Sequence, residues 1–280
     1  MDAPSPEARY YFDEAIRYEE AGDFYHAVKL YKRTIREAPG WAAPCLRLGH
    51  FYKYRQEWKP SLYYSKKGIA ADAGNQQAWW DVGIAATALG KGKLARRVWD
   101  KFGGSARLQG LVSARIKQGR SWEIVGVQRR GPASGVVRSV PHPKSQRRYG
   151  DLILLDNIVQ GHHISGAYRL PVYEELGLLK RSHFVAFSCQ LLLASTEDVN
   201  LLHQLCADKL LGFEVWGNAS RTLSWASPEG QATFYHQPLT EQPPALLVAI
   251  AARRESQAQR VLQDWSVITL KSFDGFQAHH

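Results

Sequence analysis

The stretch LRLGHFYKYRQEWKPSLYYSKKGIAAD, residues 46–72, decides how the first third of this chain folds. Small residues and aromatic rings alternate along it at fixed distances: Gly49, Tyr52, Trp58, Ser61, Tyr64 and Gly68. No run in it is apolar enough for a buried strand, and it carries no catalytic motif. Its two halves read as amphipathic helices on either side of a tight turn, RQEW (55–58). The stretch therefore predicts a hairpin of two helices.

The pattern recurs at a constant step of 34 residues in both directions. Four sets of positions keep this step: Tyr11, Cys45 and Trp79; Ala15, Gly49 and Gly83; Ala27, Ser61 and Ala95; Tyr31, Ser65 and Trp99. Matching turns stand at AGDF (21–24) and LGKG (89–92). A period of this length is typical of stacked helical hairpins. We expect the small residues where the two helices of a hairpin cross, and the rings in the gaps between hairpins.

Two segments of this repeat resemble the tetratricopeptide repeat. LGHFY (48–52) matches the Leu-Gly-x-x-Tyr core of that family, and GDFYHAVKLYKRTIREAP (22–39) matches its second helix through the closing proline. The resemblance covers about residues 7–103. The third repeat departs from the pattern, because Ala86 replaces the tyrosine, Phe102 takes a usually small position and no closing proline follows. The resemblance implies an all-α hairpin array whose third repeat is a capping or distorted one.

In that family, the first helix of each repeat lines a concave groove that binds peptides or helices. Carried over by repeat position, the resemblance implies a partner-binding groove formed by Arg9, Phe12, Glu19, His50, Lys53, Tyr54, Gln77, Trp80 and Thr87. The alternative is that Phe12 and Trp80 only pack against a neighbouring helix. The basic two-Asn clamp that some members use for chaperone C-termini is absent, since only Lys53 resembles it.

The segment SARLQGLVSARIKQG (105–119) predicts a helix that covers the last apolar face of the array. Its apolar residues fall on one helical face: Leu108, Leu111, Val112 and Ile116. The predicted domains are accordingly a repeat array with its capping helix, residues 1–119, and an α+β domain, residues 120–280.

After Gly119 the periodicity becomes alternating, which is typical of strands. Residues 121–140 predict two strands around the turn RRGPASG, and residues 149–158 predict a third. Residues 170–179 predict a short helix or turn. This β-rich part, 120–180, is expected to form a β-hairpin or small barrel.

Residues 181–280 predict two strand–helix–strand units joined by short strands. The first unit is a strand in 183–195, a helix in 196–211 with Ser195 and Asp198 as a capping pair, and the strand 212–217. The second is the strand 245–253, the helix 255–265 and the strand SVITLKSF (266–273). This order predicts a ferredoxin-like sandwich, which does not fix a function. The fold class is thus α+β overall.

The net charge of +10 is concentrated in residues 91–148, which hold fifteen Lys and Arg against two acids, Asp100 and Glu123. Such a zone indicates an acidic partner, either a protein or a polyanion, although a solvated surface would also produce it. The candidate basic patch is Arg129, Arg130, Lys144, Arg147 and Arg148.

The three cysteines have no CxxC spacing, so neither a disulfide framework nor a zinc ribbon is expected and a reducing cytoplasm fits. The N-terminal residues do not have the pattern of a signal peptide, and no apolar stretch approaches the ~20 residues that span a bilayer. We expect no membrane partner, no cofactor and no metal.

Candidates for chemistry are few. The carboxylates of Asp151 and Asp156, next to Asn157, could serve acid–base work, although caps of turns and strand ends are the commoner role. His162 and His163 are adjacent, so their side chains diverge and make a poor metal pair. The cysteines Cys189 and Cys206 fall on apolar faces and are expected in the core, and the terminal pair His279 and His280 is expected to be frayed or incidental.

The sequence leads to three functional hypotheses. The first is a non-enzymatic, protein-binding adaptor or regulator, which uses the groove for a peptide, helix or acidic surface and its basic connector and α+β module for a second surface. The second is a nucleic-acid-binding protein that uses the 91–148 zone. Aromatic residues interleaved with Arg221 could then stack on bases, namely Trp216, Trp225, Phe234 and Tyr235. The third is an enzyme with a site in 151–163.

Overall fold

The computed structural model describes residues 3–101, 110–165, 168–216, 222–224, 232–235 and 244–279; for Ser165 and the segments 222–224 and 232–235, only the backbone is described. The chain divides into two compact units, residues 1–107 and 108–280. We call them the helical unit and the strand-rich unit. The division falls upstream of the expected boundary at 119.

The helical unit contains three helical hairpins within its described residues. Their helices are α1 (Pro6–Glu20), α2 (Phe24–Glu37), α3 (Ala42–Tyr54), α4 (Trp58–Ala71), α5 (Gln76–Ala88) and α6 (Gly92–Lys101). The turns fall where the repeat predicts them. Local caps fix the starts of several helices: the side chains of Ser5, Asp23 and Asn75 accept hydrogen bonds from backbone N–H groups of the first turn.

The small repeat residues lie where paired helices cross, as predicted. A Cβ added to Gly49 would lie 3.0 Å from the backbone nitrogen of Ser65 and closer still to its hydroxyl. Ser61, also on α4, donates a 2.9 Å hydrogen bond to the Gly49 carbonyl. In the third hairpin, an added Cβ on Gly83 would overlap the ring of Trp99. The 34-residue step therefore reflects close contact between helices.

The first part of the strand-rich unit is a small closed barrel. Its strands are β1 (Leu111–Gln118), β2 (Ser121–Gly131), β3 (Ser134–Val137), β4 (Leu152–Ser165) and β5 (Tyr168–Lys180). Successive strands pair antiparallel, and β1 closes the ring by pairing in parallel with β5. Alternate apolar residues from β1 to β4 fill the interior.

The prediction of a capping helix over 105–119 is wrong for residues 111–118, which form β1. Val112, Ala114 and Ile116 are buried in the barrel core at a period of two residues. The helical reading counted the large apolar residues and left out Ala114, whose inclusion completes the strand alternation. Leu108 lies outside the described residues.

The prediction of a helix or turn over 170–179 is also wrong, because these residues lie in β5. Glu174 and Glu175 favour a helix locally, but both strand neighbours of β5 supply ladder hydrogen bonds. The two carboxylates are matched by arginines on other strands and loops: Arg115 lies 3.0 Å from Glu174, and Arg147 lies 2.7 Å from Glu175.

The second part of the strand-rich unit has the ferredoxin-like order. Its elements are β6 (Val185–Leu192), α7 (Thr196–Asp208), β7 (Gly212–Val215), β10 (Ala245–Ala252), α8 (Glu255–Thr269) and β11 (Phe273–His279). The four strands form one antiparallel sheet in the order β11-β6-β10-β7. The Ser195–Asp198 capping box starts α7 as predicted. Trp265 on α8 is fully buried and donates a 2.8 Å hydrogen bond to the Asp198 carbonyl.

The last predicted strand, 266–273, is wrong by several residues. α8 continues to Thr269, whose hydroxyl donates to the Trp265 carbonyl at 2.9 Å, and the strand begins at Phe273. The β-branched residues there favour a strand, but Val267 and Ile268 are exposed on the last turn of the helix. His279 consequently lies in β11, where its Nε2 is 2.8 Å from the Ser188 hydroxyl, instead of at a frayed end. His280 lies outside the described residues.

Two further strands link the two parts of this unit. β8 (Thr222–Ser224) pairs with β2, and β9 (Ala232–Tyr235) pairs with β4, although both lie between β7 and β10 in the chain. The chain is α+β overall, a tetratricopeptide-like helical array followed by an α+β unit. Among the described helices, none has the length and apolar character needed to cross a membrane.

Candidate functional site

The first helices of the three hairpins border one open cavity of about 350 Å³. Helices α1, α3 and α5 and the cap of α5 supply its lining: Phe12, Ala43, Leu46, Arg47, His50, Asn75, Gln77, Ala78 and Asp81. We call this cavity the groove. Its wall is apolar at Phe12 and Leu46. The side chain of Arg47, which is 49% exposed and lies 4.0 Å from a carboxylate oxygen of Glu19, adds a positive charge.

A buried ion pair fixes the floor of the groove. Lys53 on α3 is fully buried, and its Nζ lies 3.1 Å from Oδ1 of Asp81 on α5. Gln77 donates a 3.0 Å hydrogen bond to the same oxygen, and His50 Nδ1 lies 3.6 Å from Oδ2. Burial would raise the pKa of Asp81, but His50 and Lys53 favour the carboxylate, and the net pKa is below its usual value. Neighbouring hairpins are thus joined by a charge pair under the groove.

The structure places three of the nine predicted groove residues in this lining: Phe12, His50 and Gln77. Lys53 lies beneath it and is fully buried, so it does not face the groove as its repeat position implied. Trp80 packs against Trp99 with ring centroids 5.0 Å apart, and the Thr87 hydroxyl donates to the Gly83 carbonyl. The remaining three, Arg9, Glu19 and Tyr54, lie outside the lining, and Glu19 accepts a hydrogen bond from Tyr31.

Sequence reasoning missed three polar residues of the groove lining: Arg47, Asp81, and Asn75, which caps α5. Arg47 stands one turn before His50 on α3, and Asp81 stands one turn after Gln77 on α5. Helical spacing therefore carried the signal, because residues three or four apart share a face.

The five residues of the predicted basic patch do not share one face. Arg129 is buried, its Nη1 donates to the Pro132 carbonyl at 3.0 Å, and its guanidinium lies 4.3 Å from the Tyr173 ring centre. Burial lowers the pKa of Arg129. Arg130 and Lys144 are exposed, whereas Arg147 is paired with Glu175. Adjacent strand residues point to opposite faces, which separates Arg129 from Arg130.

The candidates for chemistry have structural roles in the described parts of the chain. Asp151 is fully buried and accepts hydrogen bonds from the backbone N–H groups of Arg148 and Ser182 at 2.9 and 2.7 Å. Asp156 is buried and accepts from the backbone of Asn157. Asp151 thus has the commoner of the two expected roles, because it ties together the backbone of two loops, whereas Asp156 lies within β4.

The histidine candidates lie next to polar side chains, and the cysteine candidates are buried. His163 Nδ1 is 3.0 Å from the Ser113 hydroxyl, and His162 Nδ1 is 3.5 Å from Arg169. Burial raises the pKa of both the Cys189 and Cys206 thiols to about 12, so both are protonated near neutral pH. The described residues hold no group of three or more metal-ligating side chains.

The predicted stacking platform is only partly visible. Trp216 packs near His142 and His279, with centroids 5.2 Å away in each case, and its indole N–H donates to the Val140 carbonyl. Arg221 and Trp225 lie outside the described residues, as do the side chains of Phe234 and Tyr235.

A scan of protein-family models and a search of curated proteins found no match. Among solved structures, the chain is similar to the second TPR domain of Spaghetti (RPAP3), described as bound to the HSP90 peptide SRMEEVD, at 21% identity over 34% of this chain and 88% of that one, with a TM-score of 0.32. It is similar to the Sgt2 TPR domain from Aspergillus fumigatus at 19% identity over 35% and 66%, also at 0.32. A hypothetical protein from Neisseria gonorrhoeae matches at 7% identity over 60% and 94%, at 0.25.

Proposed function

We propose that this protein is a non-enzymatic adaptor or regulator whose helical unit binds a segment of a protein partner in the groove. One observation carries the proposal: a single cavity runs over the first helices of all three hairpins. Amphipathic helices and extended peptides dock in grooves of this kind, where an apolar wall provides affinity and a few polar groups provide specificity.

The chemistry of the groove favours a segment that carries an apolar anchor next to an acidic residue. Phe12 and Leu46 offer apolar contact, and Arg47 and His50 offer donors to a carboxylate. Asp81 does not repel such a segment strongly, because the ammonium of Lys53 and the amide of Gln77 both contact its Oδ1, and His50 lies 3.6 Å from its Oδ2. The strand-rich unit, with its basic loops, is proposed to engage a second surface.

The test is quantitative capture of partners from native lysate by the wild-type chain and by Arg47→Glu. Charge reversal at the groove is expected to lose the partner, because it places a carboxylate against the acidic segment. Lys66→Glu is the matched control, since it reverses one exposed charge on α4, outside the groove lining.

Circular dichroism should show the same helix content for all three proteins. Nuclease treatment of the lysate distinguishes a protein partner from one held through nucleic acid. Capture by Arg47→Glu that equals wild type would remove the groove from the proposal.

A further inference from the structure

A second cavity, of about 300 Å³, lies within the strand-rich unit and is bordered by three arginines. Arg147 and Arg148 come from the loop between β3 and β4, and Arg181 comes directly after β5. Gln146 and His279 complete the polar part of the lining. The described part of this lining contains no carboxylate.

Two of the arginines are held in place from behind by buried carboxylates. Arg147 Nη2 lies 2.7 Å from Glu175, whose side chain is 5% exposed. Arg181 Nη1 lies 3.3 Å from Asp151, whose side chain is fully buried. Both arginines also donate through Nη1 to the Gln146 carbonyl, at 3.2 and 2.8 Å. Sharing one acceptor brings two like charges together, in a fixed orientation, at the edge of the cavity.

The third arginine has no such partner. The guanidinium of Arg148 makes no hydrogen bond or ion pair with the described residues, and neither do Nε and Nη2 of Arg181. Structural ion pairs explain the presence of Arg147 and Arg181 but not that of Arg148. Because the two carboxylates lie behind the arginines, the cavity presents unused N–H donors and one excess positive charge.

We propose that this cavity binds the phosphate group of a small phosphorylated ligand. Guanidinium groups match phosphate through two parallel hydrogen bonds, and donors that are already oriented lose little entropy on binding. The volume falls at the lower end of the ~300–1,000 Å³ typical of small-molecule sites. A nucleic-acid strand would need a continued basic track, and Arg129, another arginine of the basic zone, is buried and donates to the Pro132 carbonyl.

The test is titration calorimetry of the full chain with inorganic phosphate and with glycerol phosphate, using glycerol as the phosphate-free control. Arg148→Gln is expected to weaken binding about tenfold or more, since it removes a charged donor that has no structural partner. Lys144→Gln removes the same charge from an exposed position of the same loop outside the cavity, and should bind within about twofold of wild type.

Three results would overturn the proposal: no saturable binding of either phosphate by wild type, equal weakening by both variants, or tighter binding of a random single-stranded oligonucleotide that Arg148→Gln abolishes. The last result would assign the site to nucleic acid. The inference is independent of the groove, so Arg47→Glu should bind glycerol phosphate as wild type does even if it loses its protein partner.

Discussion

The Lys53–Asp81 pair shows how a single residue can mislead when its partner lies in another repeat. By its position in the repeat, Lys53 was expected to face the groove, and a lone lysine on a helix is usually solvated. Its ammonium is instead fully buried because Asp81, on the next hairpin, lies 3.1 Å away. The sequence shows both residues, but only the stacking of α5 on α3 shows that they meet.

Removing the charge of Lys53 should lower the stability of the helical unit more than it lowers binding in the groove. Lys53→Met leaves the Asp81 carboxylate buried without its cation, which typically costs ~3–5 kcal/mol. The double variant Lys53→Met/Asp81→Leu should recover much of that loss, because it removes both charges. Urea unfolding followed by circular dichroism measures the free energy of unfolding of the single and the double variant. A single variant with the wild-type midpoint would mean that the pair contributes nothing to stability.

Acid should weaken the helical unit through the same carboxylate. The pKa of Asp81 in the folded chain lies below its usual value. Its contribution to stability is therefore complete above the unfolded pKa of about 3.9 and is lost as the pH falls through the lower folded pKa. We expect the urea midpoint of wild type to fall below about pH 4, and that of Asp81→Asn to fall less steeply. Parallel pH profiles for the two proteins would show that Asp81 is not the group responsible.

At the scale of elements, the helices were predictable because their signal is repeated. Each small residue at a crossing has equivalents at the same step in the other hairpins, so one ambiguous position does not change the register. β1 and β5 offered no such redundancy. Each pairs with its neighbour in the chain, β2 for β1 and β4 for β5, but the pairing of β1 with β5 that closes the barrel joins distant segments. The glutamates of β5 are balanced by Arg115 and Arg147 from elsewhere in the chain. Local propensity could not reveal β5, whereas β1 could have been found from the alternation of Val112, Ala114 and Ile116.

A leucine at Gly49 should overpack the crossing of α3 and α4. The added side chain would meet the backbone of Ser65, which cannot move away as a flexible side chain could, and such overpacking costs ~1–3 kcal/mol. Thermal unfolding by circular dichroism measures the loss. Gly40→Leu is the matched control, because nothing lies within 4 Å of an added Cβ there. If both variants melt at the wild-type temperature, the crossing is looser than the structure shows.

At the scale of the whole molecule, three of the nine groove residues implied by repeat position border the cavity, and the arginine cavity was not anticipated. Repeat position identifies the helix face, which was enough to find Phe12, His50 and Gln77. The arginine cavity depends on Arg181 meeting the loop that contains Arg147 and Arg148, and only the closed barrel brings these segments together. The basic patch was predicted from residues that are close in the sequence. It therefore included Arg129, which the alternation of the strand turns inward.

Strand β1 decides which fragments of the strand-rich unit can fold. A fragment of residues 108–280 retains β1, which pairs with β2 along its whole length and closes the barrel against β5. A fragment of 120–280, cut where the sequence pattern changes, lacks that strand and exposes the edges of β2 and β5. Unpaired edges and an opened core favour aggregation.

We expect the longer fragment to unfold cooperatively in urea with dispersed amide NMR signals, and the shorter one to aggregate or to lose dispersion. The fragment 1–119, which carries β1 without its partners, should show no more helix than 1–107. A folded, monomeric 120–280 fragment would mean that β1 is dispensable and that the earlier boundary has no physical basis.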